Sequence, residues 1–459
     1  MKKVVNIMSI IFILLLFYLT KDSNILSLTV SFSMYILFSS IFSTTNIKSN
    51  NYKVFKLSLL SILLLGVPLI IVSYFIGDIL DIDKLNIINI VMTLSLISNI
   101  ILKISRDYLE NIGYKKLSNN LVNIYNIITL SIKTILTILL FGVFQVHSYI
   151  TIISLYSVDI LVFIILSIIL YLLIFKKIKQ KNKDKINYIN EIKDALVGNK
   201  IETLYNIINS SYIYISIIIL YFVLSNTYNY SYNSVSIYIT NTYFYSLIVV
   251  YYIHKIIKKY LNISLKDNFI SNANKVTKIV LSLTILLTII SKPLSYLIFG
   301  SSTNILVNLL PVLFMYTIYD FIINTCMIYN KDKNIITSLI IGILVKIIFE
   351  VPLINTIYRM GYTLALGSVL SIVLGLIVSI IIGIILIKKK LKINLLDNFN
   401  NLLNIIYENI IYTLILVLLT LIVKIETDDI ISSILVIIFY IFITITFYII
   451  NRKINKDKK

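Results

Sequence analysis

Long apolar stretches recur along the whole chain, and they constrain the fold more than any other feature of the sequence. The 459 residues are 58% hydrophobic and only 14% charged, with a mean hydropathy of +0.94. Soluble globular domains carry about 25% charged residues, so this composition excludes a water-soluble protein. The stretches are about 20 residues long and lack a two-residue alternation, which is typical of transmembrane helices and not of barrel strands.

The sequence predicts an all-α polytopic membrane protein with about fourteen transmembrane helices, because one crossing with its connection takes about 30 residues. Their approximate limits are 4–20, 24–45, 54–79, 85–104, 119–145, 149–176, 201–225, 234–258, 276–299, 304–328, 334–358, 361–387, 403–423 and 430–450.

Basic residues mark one side of this predicted protein, whose formal net charge is +20. They cluster in alternate loops, and the loops on the opposite side contain only Lys21, Lys84, Arg359 and Lys424. Cytoplasmic loops are enriched in Lys and Arg, so both termini are predicted to lie in the cytoplasm and the chain in the plasma membrane. The basic residues form no continuous face, which argues against a nucleic-acid partner.

A polar, basic segment near the middle divides the predicted helices into groups. The predicted parts are an N-terminal six-helix lobe (1–180), a basic cytoplasmic linker (181–200), a C-terminal six-helix lobe (201–392), and an interfacial segment with two terminal helices and a basic tail (393–459). The stretches 106–116 and 319–333 look alike, since each joins a helix end to a basic turn and a helix with a central lysine. Two lobes repeated in parallel are a common transporter plan, with a site between them.

Cysteine and histidine are too scarce for an internal disulfide or a histidine-based metal centre. Cys326 is the only cysteine, and His147 and His254 are the only histidines. A single cysteine excludes an internal disulfide, and the histidines are far apart in sequence. The sequence therefore predicts no metal centre and no cofactor.

Five ionisable residues fall near the middle of predicted helices, namely Lys133, Asp159, Asp320, Lys346 and Glu350. Each costs about 2.5–3.5 kcal/mol at the bilayer centre, so they are expected to face the protein interior or a water-filled cavity. Lys346 and Glu350 are four residues apart and can pair on one helix face. Lys133 and Asp159, on neighbouring helices, can also pair. The five residues are either structural pairs or the lining of a substrate cavity.

One segment resembles a known family. Gly342, Leu344, Val345 and Lys346, within 328–348, match a Gly-x-Leu-Val-Lys pattern. This segment resembles the polysaccharide-biosynthesis transporters, which include stage V sporulation protein B, MurJ-type lipid II flippases and O-antigen flippases, in the superfamily of the MATE exporters. Two further matches are looser, Gly361 with Ala365 and Gly367, and Lys292-Pro293-Leu294 with Phe299-Gly300.

The resemblance implies a flippase and not an enzyme. Such a protein moves a lipid-linked oligosaccharide or peptidoglycan precursor across the bacterial cytoplasmic membrane by alternating access. Its partners would be a lipid-linked sugar diphosphate as substrate, membrane lipids, and polysaccharide or cell-wall synthesis enzymes. The five intramembrane charges would line the substrate cavity. The alternatives are a MATE-like multidrug or cation exporter, a membrane enzyme that polymerises or ligates sugar chains, and a non-transporting scaffold.

Overall fold

The computed structural model describes residues 2–20, 26–47, 51–82, 84–170, 192, 200–228, 231–239, 269–299, 305–329, 334–391, 399–423 and 429–457. Within these ranges the chain forms helices and no β-strand. Nine of the described helices are long and apolar enough to cross a membrane, or ten if one bent pair counts as a single span. The chain is therefore an all-helical, multi-pass membrane protein, as predicted, whereas the number fourteen stays a prediction.

The chain divides into two compact units, Met1–Ile218 with Tyr230–Thr240, and Ile219–Asn229 with Asn241–Lys459. The predicted four-part division stays a prediction, because its basic linker lies outside the described residues except at positions 192 and 200. The helices that begin in the first unit are α1 (Lys2–Thr20), α2 (Leu26–Ile41), α3 (Tyr52–Leu80), α4 (Leu85–Asn111), α5 (Lys115–Thr137), α6 (Ser148–Leu170), α7 (Lys200–Phe222) and α8 (Tyr232–Ile239). Short π-helical segments extend α5 over Ile138–Val143 and α7 over Val223–Thr227.

Helix α4 lies among four neighbours in the first unit, because it packs against α2, α3, α5 and α6. Leu102 and Leu109 of α4 are buried together with Leu121 of α5 and Val158 of α6. Gly113, with φ of 96°, reverses the chain after α4. A positive φ costs glycine little, so α5 can return alongside α4.

The second unit contains α9 (Phe269–Ile289), α10 (Ser291–Phe299), α11 (Ile305–Tyr329), α12 (Asn334–Arg359), α13 (Leu364–Leu391), α14 (Phe399–Val423) and α15 (Ile430–Asp457). The predicted single helix 276–299 is instead a bent pair, in which α9 and α10 meet at 66°. Pro293 explains the bend, because its ring excludes a hydrogen bond to the carbonyl group of Ile289 in a continuous helix.

Small residues allow α12 and α13 to pack closely. Gly361, with φ of 83°, forms the turn between them. A Cβ atom on Gly367 would come within 2.5 Å of the Ile354 Cα atom. Ser338 and Ser379 each donate a hydrogen bond to the other's carbonyl oxygen, at 3.2 Å. Such small-residue contacts are typical of helix packing in membranes.

Polar contacts connect the last two helices to α9. Lys278 of α9 forms an ion pair with Glu408 of α14, and the Ser282 hydroxyl donates to the Asn409 side-chain oxygen at 2.8 Å. At the start of α15, the Asp429 carboxylate accepts a hydrogen bond from the Ser432 backbone N–H at 2.5 Å. The hydrogen bonds from Ser432, from its hydroxyl first and then from its backbone, hold the pKa of Asp429 below its ordinary value.

Candidate functional site

Lys133 and Asp159 form an ion pair between α5 and α6. The Lys133 Nζ atom lies 2.8 Å from the Asp159 Oδ2 atom. The Ser95 hydroxyl, from α4, donates to the same oxygen at 2.8 Å. Three neighbouring helices therefore meet at one carboxylate, and the structure brings together the two first-lobe charges that the sequence placed on adjacent helices.

This ion pair is only partly enclosed. The side chains of Lys133 and Asp159 are 17% and 10% exposed. An ammonium group has three donors, and among the described residues Asp159 is the only hydrogen-bond partner of the Lys133 side chain. Two of the three donors of this ammonium group are therefore without a protein partner among the described residues.

A polar layer surrounds this pair within the first unit. The Tyr125 hydroxyl donates to the Asp159 carbonyl oxygen at 3.3 Å. The Asn99 side chain donates to the Tyr35 hydroxyl at 3.0 Å, and Tyr35 stacks on Tyr156 with ring centroids 6.4 Å apart. These contacts hold α2, α4, α5 and α6 in a fixed arrangement around Asp159.

Ser95, Asn99 and Tyr35 are not among the residues predicted from the sequence. A signal for the first two was present, because Ser95 and Asn99 are four residues apart in an apolar helix and so lie on one face. Polar residues on one face of a transmembrane helix are expected to contact another helix. Tyr35 had no comparable signal among the 34 tyrosines of the chain.

Lys346 and Glu350 form the second ion pair, and it is fully enclosed. Both residues belong to α12, their charged atoms are 2.6 Å apart, and both side chains are 0% exposed. The Ser368 hydroxyl of α13 donates to the Glu350 carboxylate at 2.5 Å. Neither side chain has solvent-facing surface in this state, so the geometry favours a structural role for this pair over a place in the lining of a cavity.

The remaining predicted site residue, Asp320, lies on α11. It is buried, with 5% exposure, and its sequence neighbours Tyr319 and Phe321 are buried too. Lys292, at the start of α10, is exposed. The partly exposed pair of Lys133 and Asp159 is therefore the strongest candidate for a ligand-binding site among the five predicted residues.

The fold that contains this ion pair is similar to that of known proteins. No protein-family profile matches the sequence, and no curated protein sequence matches it. The structure is similar to that of the lipid II flippase MurJ in an inward closed conformation, with a TM-score of 0.62 and 16% identity, covering 98% of this chain and 99% of that chain. It is also similar to a multidrug resistance MATE family transporter of the MOP superfamily in an inward-facing conformation, with a TM-score of 0.57 and 12% identity, covering 82% of this chain and 92% of that chain. The predicted resemblance to MurJ-like and MATE proteins is confirmed for the fold, and both similar proteins are transporters rather than enzymes.

Proposed function

We propose that the chain is a flippase that moves a lipid-linked oligosaccharide or peptidoglycan precursor across the bacterial plasma membrane, with both termini in the cytoplasm. The fold shared with a lipid II flippase over nearly the full length of both chains supports this function. The observation that carries the proposal is Lys133, a lysine whose side chain is partly exposed on a helix that is apolar enough to span a membrane.

The Lys133 ammonium group suits the diphosphate of a lipid-linked sugar. Lysine is a compact charge with three rotatable donors, so it can bind an anion that must later be released. Asp159 neutralises Lys133 when no substrate is bound, and this lowers the cost of about 2.5–3.5 kcal/mol for a charge at membrane depth. A bound diphosphate takes the two N–H donors that Asp159 leaves free.

The membrane potential can drive this transport. Moving about two negative charges outward across 100 mV, inside negative, releases roughly 5 kcal/mol, at about 2.3 kcal/mol per charge. An ammonium group that moves with the headgroup would reduce that gain.

A multidrug or cation exporter is the second candidate, and the MATE-like fold together with the Asp159 carboxylate favours it. A cationic drug would bind Asp159, whereas an anionic headgroup would bind Lys133. The two functions therefore differ in which member of the ion pair contacts the substrate.

A flipping assay in proteoliposomes tests the proposal. The substrate is a fluorescent polyprenyl diphosphate that carries sugar, and the readout is the rate at which it becomes accessible to a membrane-impermeant quencher. A lost hydrogen bond to a charged group costs about 1.5–3 kcal/mol, so Lys133→Met should slow flipping about tenfold or more. Lys133→Glu should be slower still, because it adds a second carboxylate beside Asp159.

The matched control is Lys292→Met, which makes the same substitution at an exposed lysine on α10 and should leave the rate unchanged. Flipping by Lys133→Met at the wild-type rate would contradict the proposal. Drug efflux that depends on Asp159 and is unaffected by Lys133→Met would instead support the exporter.

A further inference from the structure

A stripe of asparagine side chains runs along α5 towards Lys133. Asn119, Asn123 and Asn126 precede Lys133 at helical spacing. At 3.6 residues per turn, these four side chains fall within an arc of about 80°. No charged residue lies between Lys116 and Lys133, so the stripe is neutral up to Lys133. Leu130 is the one apolar residue within the arc, between Asn126 and Lys133.

The opposite face of α5 has the opposite chemistry. Ile124 and Ile128 are each 38% exposed, and Ile135 is 57% exposed. This isoleucine face is suited to lipid chains, and the arc of the stripe is centred about 160° from it. Asn119 is exposed and Asn123 and Asn126 are partly exposed. A polar group that faces hydrocarbon without a hydrogen bond is costly, so we expect the stripe to be in contact with water.

The amide groups of the stripe retain most of their hydrogen-bonding capacity. The Asn123 side chain donates one hydrogen bond, to the Asn119 carbonyl oxygen at 2.9 Å. The side chains of Asn119 and Asn126 have no hydrogen-bond partner within the part of the chain that the structure describes. Each amide group has two donors and an acceptor oxygen, which is the capacity needed to bind a ligand with many hydroxyl groups.

We propose that the asparagine stripe of α5 binds the neutral, hydroxyl-bearing sugars of the substrate while Lys133 binds its diphosphate. This inference rests on the proposed function. Asn126 lies about 10 Å along the helix axis from Lys133, and Asn119 lies about 21 Å from it, at 1.5 Å per residue. The sugars would therefore extend along α5 from the diphosphate towards the end of the helix that carries Lys115 and Lys116.

Cysteine labelling tests whether the stripe faces water, in a Cys326→Ser background that removes the native thiol. Asn123→Cys and Asn126→Cys are compared with Ile124→Cys and Ile128→Cys on the same helix. A charged thiol reagent reacts with the thiolate, which forms only where water reaches the sulfur, so the asparagine positions should react at least about tenfold faster. Equal rates at the two faces would overturn the inference.

Binding of two lipids to the purified protein tests the ligand. The probes are a polyprenyl diphosphate without sugar and the same lipid with a disaccharide. We expect the wild-type protein to bind the sugar-bearing lipid about tenfold more tightly, and the Asn123→Leu/Asn126→Leu variant to lose this preference. The single variant Asn126→Leu should lose part of it. The control Asn120→Leu lies about 100° from Asn119 on the helix and should keep the preference.

The outcomes separate this inference from the proposed function. If wild-type protein binds both lipids equally, or if the double variant keeps the preference, the stripe does not bind sugar and the flippase proposal stands. A double variant that loses both lipids equally also overturns the inference. If wild-type protein binds neither lipid, both proposals fail.

Discussion

Replacing Lys346 by methionine should leave the Glu350 carboxylate without its ionic partner in a site closed to water. Both side chains are 0% exposed, and the Ser368 hydroxyl would remain as a donor to the carboxylate, at 2.5 Å. Removing one partner of a buried ion pair costs about 3–5 kcal/mol. Methionine is flexible and can fill the space of the lysine stem, so we expect this loss in the free energy of unfolding to come from the unpaired charge.

The double variant Lys346→Met/Glu350→Gln separates charge from packing. Replacement of a whole buried ion pair by uncharged residues of similar volume is often neutral, or stabilising by about 1–4 kcal/mol. The glutamine amide can still accept a hydrogen bond from Ser368. The double variant should therefore be more stable than Lys346→Met by about 3 kcal/mol.

Chemical denaturation in detergent micelles, followed by far-UV circular dichroism, measures these differences. The wild-type protein, Lys346→Met and the double variant are compared under the same conditions. A Lys346→Met variant as stable as wild type would refute the reasoning, because Glu350 would then have to be hydrated. A double variant as unstable as the single one would show that methionine disturbs the packing.

Three other predictions follow from the helices and their ends. Gly367→Ala places a Cβ atom within 2.5 Å of the Ile354 Cα atom, so overpacking should cost about 1–3 kcal/mol and lower the thermal midpoint. The lowered pKa of Asp429 means that its cap on α15 is complete above the unfolded pKa of about 3.9 and is lost as the pH falls through the lower folded value. The protection of the Ser432 amide, measured as its exchange rate relative to that of an unstructured amide at the same pH, should therefore decrease in acid in wild type but not in Asp429→Asn. If both termini are cytoplasmic, Ser231→Cys in a Cys326→Ser background should be labelled from outside in intact cells, and labelling only after lysis would contradict the orientation.

The sequence was sufficient to place apolar spans but not to give their exact shape. Apolar length locates a span because hydrocarbon thickness sets it, and the nine long apolar helices of the described residues each coincide with a predicted range. The range 276–299 was predicted as one span in which Pro293 marks a kink or an end, and the helices are bent by 66° just before this proline. A proline indicates a kink or a helix end but does not fix the angle between the two parts.

The sequence also predicted which charges pair, but not how enclosed each pair is. The cost of a charge in lipid requires a partner or water, and this argument applies equally to Lys133 and to Lys346. Enclosure depends on the neighbouring helices. Ser368 of α13 contacts Glu350, and Ser95 of α4 contacts Asp159. These contacts join residues that are far apart in sequence, and helical periodicity within one segment does not reveal them.

The two ion pairs differ in a way that bears on transport. Lys346 and Glu350 belong to one helix, so their distance of 2.6 Å does not change when helices move against each other. In the proposed flippase, an anion bound at Lys133 would share the ammonium group with Asp159, and this would weaken, without breaking, the contact between α5 and α6. Substrate binding would then loosen helix packing in the first unit, and substrate release would tighten it again. An ion pair within a single helix does not join two helices, so it offers no such coupling.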